Sequence, residues 1–588
     1  MSRDSTQQPN FAVLFGLAFL LVAVQVMAQF WVATATTLPD TDDAMRLVQV
    51  RAFLAGQGWF DLHQARLDPP AGYDSHWSRL IDAGLAGLFI AFRSFAEPAL
   101  AERLMTGLWP VLWLIPMIGA TAAIAWRIAG REAACAALLL AVFGLPGMGQ
   151  FRPGRIDHHN VQIALAAISV AATVWSDRKP WAAWAAGAVT GLALAIGLEG
   201  LPILALCGAA LAVSFVLDPG AAARLRAYGL SLVASMVAAF LVSVGPDHWM
   251  VGVCDELAIN SAAAVVTGGL GLALLSLVGR TQPPWQRAVT VMAVAVTAAA
   301  VGLSFEPRCI GGPFATMDPT VRILWLNRIS EMQSLMSMLH TMPLSGVAEA
   351  AFPAVGLLST LVVASKLRRD FGFLTAAAAF LLALAIMIEV NKYYAYTLWL
   401  GAPLVAVGAL AVLDRFKLNS LVPRFVAIML VTPMSVTLGA MSIATAAGTA
   451  EGLDINPPAR QACVNMQNYV ALARLPLGLM IPDQLEWGPY LLAWTPHSVL
   501  AGPYHRMSAS ILAAHQVFAL PPEPAHRVLA GTGADYLVTC GAQGPLGLND
   551  AETARSLWGH LRAGDVPDWL IPVAELRGQP FAVYRVKR

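Results

Sequence analysis

Gly154-Arg155-Ile156-Asp157-His158-His159-Asn160 lies where one long apolar run of the chain ends and the next begins. A carboxylate and two imidazoles at such a boundary are costly to bury and well suited to holding a divalent cation. Three further polar clusters stand between other apolar runs: Thr41-Asp42-Asp43, Ser75-His76-Trp77 and Ser330-Glu331-Met332-Gln333. The topology derived below puts all four on one side of a membrane. The pattern is that of a membrane-embedded enzyme with its site at the outer surface.

Composition sets the class. The 588 residues are 57% hydrophobic and 12% charged, against about 25% charged in soluble domains. A net charge of +1 carries no basic bias and argues against nucleic acid as a partner. Apolar runs close to the roughly 20 residues that cross a bilayer recur from residue 10 to residue 447. The first, Phe11 to Thr37, is too long for a signal peptide and lacks a small-residue cleavage site, so it reads as a retained span. Residues 448–588 are mixed in character and read as a small soluble domain, α/β or otherwise mixed.

Counting spans against Lys and Arg gives the topology. Thirteen are expected, near 11–37, 103–127, 133–150, 159–176, 181–198, 200–217, 227–246, 257–279, 286–305, 345–365, 371–389, 393–413 and 422–447. With the N-terminus inside, the inner loops hold Arg127/Arg131, Arg178/Lys179, Arg224/Arg226, Arg280/Arg287, Lys366/Arg368/Arg369 and Arg415/Lys417. Every one of them is basic, as the positive-inside rule requires. Residues 80–97 are apolar enough to be a span, but counting them inverts every later loop. They read instead as an interfacial or re-entrant helix. The first 447 residues thus form a polytopic helical domain with external loops at 38–102, 151–158 and 306–344, followed by an external domain at 448–588. A bacterial inner membrane, with that domain in the periplasm, is the expected location. Outside lie Cys254, Cys309, Cys463 and Cys540, where disulfides form; Cys463–Cys540 and Cys254–Cys309 are the expected pairs, with Cys135 and Cys207 inside spans.

On these residues the chain resembles the catalytic subunits of oligosaccharyltransferases, above all the single-subunit archaeal enzymes, within the GT-C class of membrane glycosyltransferases. Asp42-Asp43 with Arg46 matches the Asp-rich motif of the family's first external loop. Pro69-Pro70-Ala71-Gly72 and His76-Trp77 resemble its Tyr-Pro-x-Gly…His-Trp stretch. Asp157-His158-His159 matches the second acidic motif, which is Asp-x-His in archaeal members, and Ile329-Ser330-Glu331 matches the Ser-Val-Ser-Glu or Thr-Ile-x-Glu motif. Lys392, before Tyr393-Tyr394, falls near the family's donor-phosphate Arg. The family's Trp-Trp-Asp-Tyr-Gly motif, which reads the Ser or Thr of a glycosylation sequon, is replaced by Leu485-Glu486-Trp487-Gly488-Pro489-Tyr490.

The resemblance implies transfer of a sugar or glycan from a polyprenyl-phosphate or polyprenyl-diphosphate donor to a lipid, glycan or protein acceptor. Breaking a sugar–phosphate bond builds charge on the leaving phosphate, which a metal ion and a basic side chain stabilise. Asp43, Asp157 and His159 form the expected metal set, suited to Mn²⁺ or Mg²⁺. His76, Lys392 and Arg155 are the expected donor-phosphate residues. Asp43 and Glu331 are the expected catalytic acids, and Glu331, Glu486 and Trp487 face the acceptor. A different class of function also fits the residues: a lipid or polysaccharide transporter whose acids hold a structural cation. Transporters more often place ionisable residues near the midplane in repeated halves. Here Glu199, at the outer end of its span, is the nearest approach to that.

Overall fold

The structure, a computed structural model, describes residues 10–448, 458–541, 544–576 and 578–587. Each apolar run forms helix. Among the described residues eight helices are long and apolar enough to cross a membrane, or nine with one bent pair counted as a single span. Three shorter apolar helices (His159–Trp175, Pro180–Ile196 and Leu201–Leu217) stand with them. The 45-residue helix Pro98–Val142 leaves helical geometry at Ala129 and Gly130, so it holds two of the expected segments. Gly130 has φ +80°, where a Cβ would be strained.

Three expected spans are shorter or broken. The first helix ends at Phe30, not at residue 37; there Thr34 and Thr37 turn their hydroxyls onto the carbonyls of Trp31 and Ala33, a local alternative to helix. The third stops at Val142, ahead of Gly144-Leu145-Pro146. The last is two helices, Leu421–Leu430 and Pro433–Ala446, bent by 56° where Pro433 cannot donate a backbone hydrogen bond.

Residues 80–97 fall mostly in a 15-residue helix, Arg79–Arg93, too short for a bilayer. Its buried Asp82 accepts from Arg46 at 2.7 Å and Arg79 at 3.0 Å. A charge cluster of this kind belongs in protein, not in lipid.

The C-terminal residues build a sheet covered by helices. Its strands are β3 (Leu479–Pro482), β4 (Ser498–Val499), β5 (Tyr536–Cys540), β6 (Leu570–Pro572) and β7 (Phe581–Val586), after a hairpin of β1 (His63–Gln64) and β2 (Tyr73–Asp74) in the first external loop. The order is β4-β3-β5-β7-β6. β3 runs parallel to β4 and β5, whereas β7 is antiparallel to β5 and β6. β5 is buried along its whole length, as a strand covered on both faces must be.

The first external loop extends this sheet at β4: Val499 donates to the Arg66 carbonyl and Asp68 to the Val499 carbonyl, both at 2.8 Å. Helix Trp487–Trp494 packs on helix Thr41–Leu54, Thr41 Oγ1 donates to the Glu486 carbonyl, and Tyr490 OH to that of Leu38. One apolar core runs through Leu38, Trp77, Ile156, Trp487 and Tyr504. The C-terminal domain is therefore seated on the loop that carries the Asp-rich motif. Both expected disulfides, Cys254–Cys309 and Cys463–Cys540, are formed, and Cys135 and Cys207 are free.

Candidate active site

Helix Thr41–Leu54 begins at Asp40, whose carboxylate accepts from the Asp42 backbone N–H at 3.3 Å. Asp40 is thus the N-cap, and Asp42 and Asp43 are free for other work. Their side chains diverge. Asp43 is fully buried; its Oδ1 accepts from the backbone N–H of Ile156 at 2.8 Å and of Asp157 at 3.1 Å. Its Oδ2 lies 3.2 Å from Arg155 Nη1. Asp43 therefore fastens the first acidic motif to the second.

Arg155 is fully occupied as well. Its Nη1 reaches Asp40 at 2.8 Å, Nη2 reaches Asp157 at 2.7 Å, and Gln150 Oε1 takes Nε and Nη2. With every N–H engaged, it has none left for a donor phosphate. Burial pushes the Asp43 carboxyl up to about 7 despite Arg155. Burial acts the same way on Asp157, but the Arg155 guanidinium and the neighbouring imidazoles outweigh it and hold that carboxyl low.

Asp42, Asp157 and His159 each offer a ligand atom, and these atoms lie within 4.8 Å of one another. Asp42 thus takes the place expected of Asp43, whose oxygens are spent on backbone and guanidinium. Burial and the nearby Asp40 and Asp157 raise the Asp42 carboxyl well above the usual range, as an uncompensated acidic cluster must. Asp157 accepts from the His159 backbone N–H at 3.1 Å. It thus holds the first backbone N–H of the helix that follows, whose N-cap is His158, and also faces the cluster.

A second ring of residues adjoins the first. Glu199 Oε2 is 3.1 Å from His159 Nδ1, and its Oε1 is 3.7 Å from His158 Nε2. Lys392 is ion-paired to Glu199, and its Nζ stands 3.9 Å from Glu331 Oε2. His158, His159 and Glu199 form another possible ligand set. Burial raises the Glu199 carboxyl, but His159 and Lys392 hold it well below its ordinary value. The sequence alone assigns Glu199 no part in this ring; an acid at the mouth of an apolar span is its only signal.

His76 stands apart from this ring. Its Nδ1 is 3.2 Å from Tyr73 OH, and its ring faces His505 at 4.9 Å. Trp77 is buried beneath the Arg46 guanidinium at 4.6 Å, so it is no interfacial anchor. Trp487 is also buried and packs inside the domain. Glu486, with Leu485, borders a crevice lined by Val321, Leu324 and Trp325 of the 306–344 loop and by His515. Of the residues expected to meet phosphate, Arg155 and Lys392 are brought to the acidic cluster, Arg155 with its N–H groups spent, and His76 is not.

No family model matches the chain, and no curated protein matches it. Among solved structures, it is similar to the Archaeoglobus fulgidus oligosaccharyltransferase in the apo form: TM-score 0.66, 16% identity, 91% of this chain and 70% of that one. It is also similar to archaeal oligosaccharyltransferase AglB from Archaeoglobus fulgidus in complex with an inhibitory peptide and a dolichol-phosphate: TM-score 0.64, 14% identity, covering 90% and 69%. A third structure of that enzyme, with Zn and sulfate, gives TM-score 0.57 at 16% identity, covering 90% and 68%. Taken with the helical bundle, the seated sheet domain and the loops that meet between them, this likeness shows that the chain has the GT-C membrane glycosyltransferase fold of the oligosaccharyltransferases.

Proposed function

We propose that this protein is a metal-dependent glycosyltransferase. It moves a sugar or glycan from a polyprenyl-phosphate or polyprenyl-diphosphate donor to an acceptor at the outer face of a membrane, expected to be a bacterial inner membrane with the C-terminal domain in the periplasm. The observation that carries the reading is the convergence of Asp42, Asp157 and His159 beside Lys392, Glu199 and Glu331. The related fold supports it, since one solved structure of AglB holds a dolichol-phosphate and another an acceptor peptide with an NVT sequon.

The donor set fits a hard or borderline divalent ion, Mn²⁺ or Mg²⁺: two carboxylates and an imidazole at the outer ends of apolar helices. Such an ion, when bound, withdraws charge from the phosphate oxygens as the sugar–phosphate bond breaks. Lys392 supplies the cation nearest to that leaving group, and Glu199 holds Lys392 and the two imidazoles in one place. Glu331 lies across from Glu199 on the 306–344 loop and is placed to orient the acceptor nucleophile or complete the ion's shell. In the transfer the acceptor oxygen bonds to the anomeric carbon and gives up its proton to the Glu331 carboxylate, the bond from that carbon to the phosphate oxygen breaks, and the phosphate leaves with the electron pair.

We infer that the acceptor is not a sequon, with a lipid or glycan hydroxyl ahead of protein. A pocket selects a hydroxyl through polar partners that are met, and the stretch at Leu485–Gly488 buries its Trp487 and turns the Glu486 carbonyl to Thr41. In the Met-rich flank of the 306–344 loop Met338 is buried, while the exposed Met336 and the half-buried Met332 give an adaptable cover for such an acceptor.

The test uses purified protein with labelled lipid-linked sugars, with and without chelator. Transfer that needs a divalent ion and is lost in Asp157→Ala bears the reading out. Retained transfer in that variant, or movement of lipid-linked sugar across a vesicle with no transfer, overturns it. Efficient glycosylation of an Asn-x-Thr peptide, lost on Thr→Ala, overturns the acceptor assignment.

A further inference from the structure

A second group of ligating side chains lies outside the transfer site. His76 comes from the first external loop, Asp255 from the segment between helices Ala222–Ser243 and Ile259–Val278, and His505 from the C-terminal domain. Each offers a ligand atom, all within 4.8 Å of one another. The Asp255 and His505 side chains are each 9% exposed. Trp77 separates the two groups, with ring centroids 6.0 Å from His76 and 5.8 Å from His158.

We propose that His76, Asp255 and His505 form a zinc site that fastens the first external loop and the 245–258 segment to the C-terminal domain. Two imidazoles and one carboxylate are a borderline set, which selects Zn²⁺ over the hard ions expected at Asp42 and Asp157; three such ligands and a water complete a tetrahedron.

The surroundings are those of a built site. Tyr73 OH engages His76 Nδ1, leaving Nε2 for the ion, the arrangement by which outer partners fix a ligating ring. Arg506 Nη2 holds Asp255 Oδ1 at 2.7 Å and also reaches Glu256 Oε1 at 3.0 Å. The backbone before Asp255 is pinned by the Cys254–Cys309 disulfide. Without the ion, Asp255 Oδ2 accepts from His505 Nε2 at 2.6 Å and from Arg506 Nε at 2.7 Å. Zinc would take over Oδ2, while Arg506 keeps Oδ1 and Glu256.

The site is separable from the transfer reaction, so its test reads metal and not activity. Full-length protein carrying Asp157→Ala and His159→Ala, which together disable both candidate ligand sets of the transfer site, is stripped with chelator. It is then dialysed against Zn²⁺ and counted by mass spectrometry. About one zinc per chain is expected, as a His₂-carboxylate site binds. It should fall at least fivefold on adding His505→Ala and again in a separate His76→Gln variant, with both disulfides intact. Protein that binds no stoichiometric zinc, or zinc that neither substitution removes, overturns the proposal. Should His505→Ala fail to fold, the His76→Gln count decides alone.

Discussion

Adjacent acids in the Asp-rich motif do opposite things. Asp42 adds negative charge to a cluster that already holds Asp157, whereas Asp43 satisfies two backbone N–H groups and a buried guanidinium. Asp42→Ala is therefore expected to cut transfer at least 100-fold. The metal-free protein should melt no lower than the parent, since a raised, repelled carboxyl is removed. Asp43→Ala should instead cost about 3–5 kcal/mol, the loss seen when one partner leaves a buried ion pair. Thermal melts in detergent beside a transfer assay separate the two. Equal melting of both variants would show that Asp43 does not anchor the second motif. The sequence names an Asp-rich motif but not which carboxylate turns inward. That depends on Arg155, 112 residues away.

Among the elements, helix packing and the sheet domain each carry an expectation. Helices Ala222–Ser243 and Ile259–Val278 approach so closely that a Cβ on Gly229 would lie 2.5 Å from the Gly269 carbonyl oxygen. Membrane helices use small residues for such approaches. Gly229→Ala should lower stability by about 1–3 kcal/mol, the cost of forcing packed elements apart. Gly16→Ala, which meets nothing within 4 Å, should leave the melt unchanged or slightly higher.

In the sheet domain, burial raises the Asp483 carboxyl to about 7 against hydrogen bonds from Trp558 and the Cys540 backbone. The folded state keeps this proton to about pH 7, whereas an unfolded Asp loses it near 4. Between these limits the folded state binds the extra proton, so stability falls as pH rises and levels off above about 7. Melting of Asp483→Asn should lack that slope relative to the parent. Parallel pH profiles for the two proteins would rule the assignment out.

The assembled protein brings remote segments together: residues 42, 157, 199, 331 and 392 converge, and the sheet domain is seated on the loop that carries the first of them. The basic loops predict the orientation of this assembly. An alkaline phosphatase fused after Arg588 should be active outside the membrane, and one fused after Arg178 inactive. The reverse pattern would invert the topology and place the site on the inner face.

Apolar runs of bilayer length, the basic loops between them and the four clusters of polar residues are written locally, so membrane class, helix positions and the loops that bear the chemistry are legible in the chain. The two disulfide pairs were legible too, because Cys463 and Cys540 fall together in the C-terminal domain and Cys254 and Cys309 in neighbouring loops. The ends of helices were less legible, because Thr hydroxyls at 34 and 37 and Pro433 redirect backbone hydrogen bonds within a run that remains apolar. The site's inner arrangement was decided by tertiary structure alone. Which acid faces the cluster, the full engagement of Arg155, the pairing of Glu199 with Lys392 and the meeting of His76 with Asp255 and His505 all rest on charges separated by up to hundreds of residues. Such groups choose partners only when burial makes an unpaired charge too costly to keep.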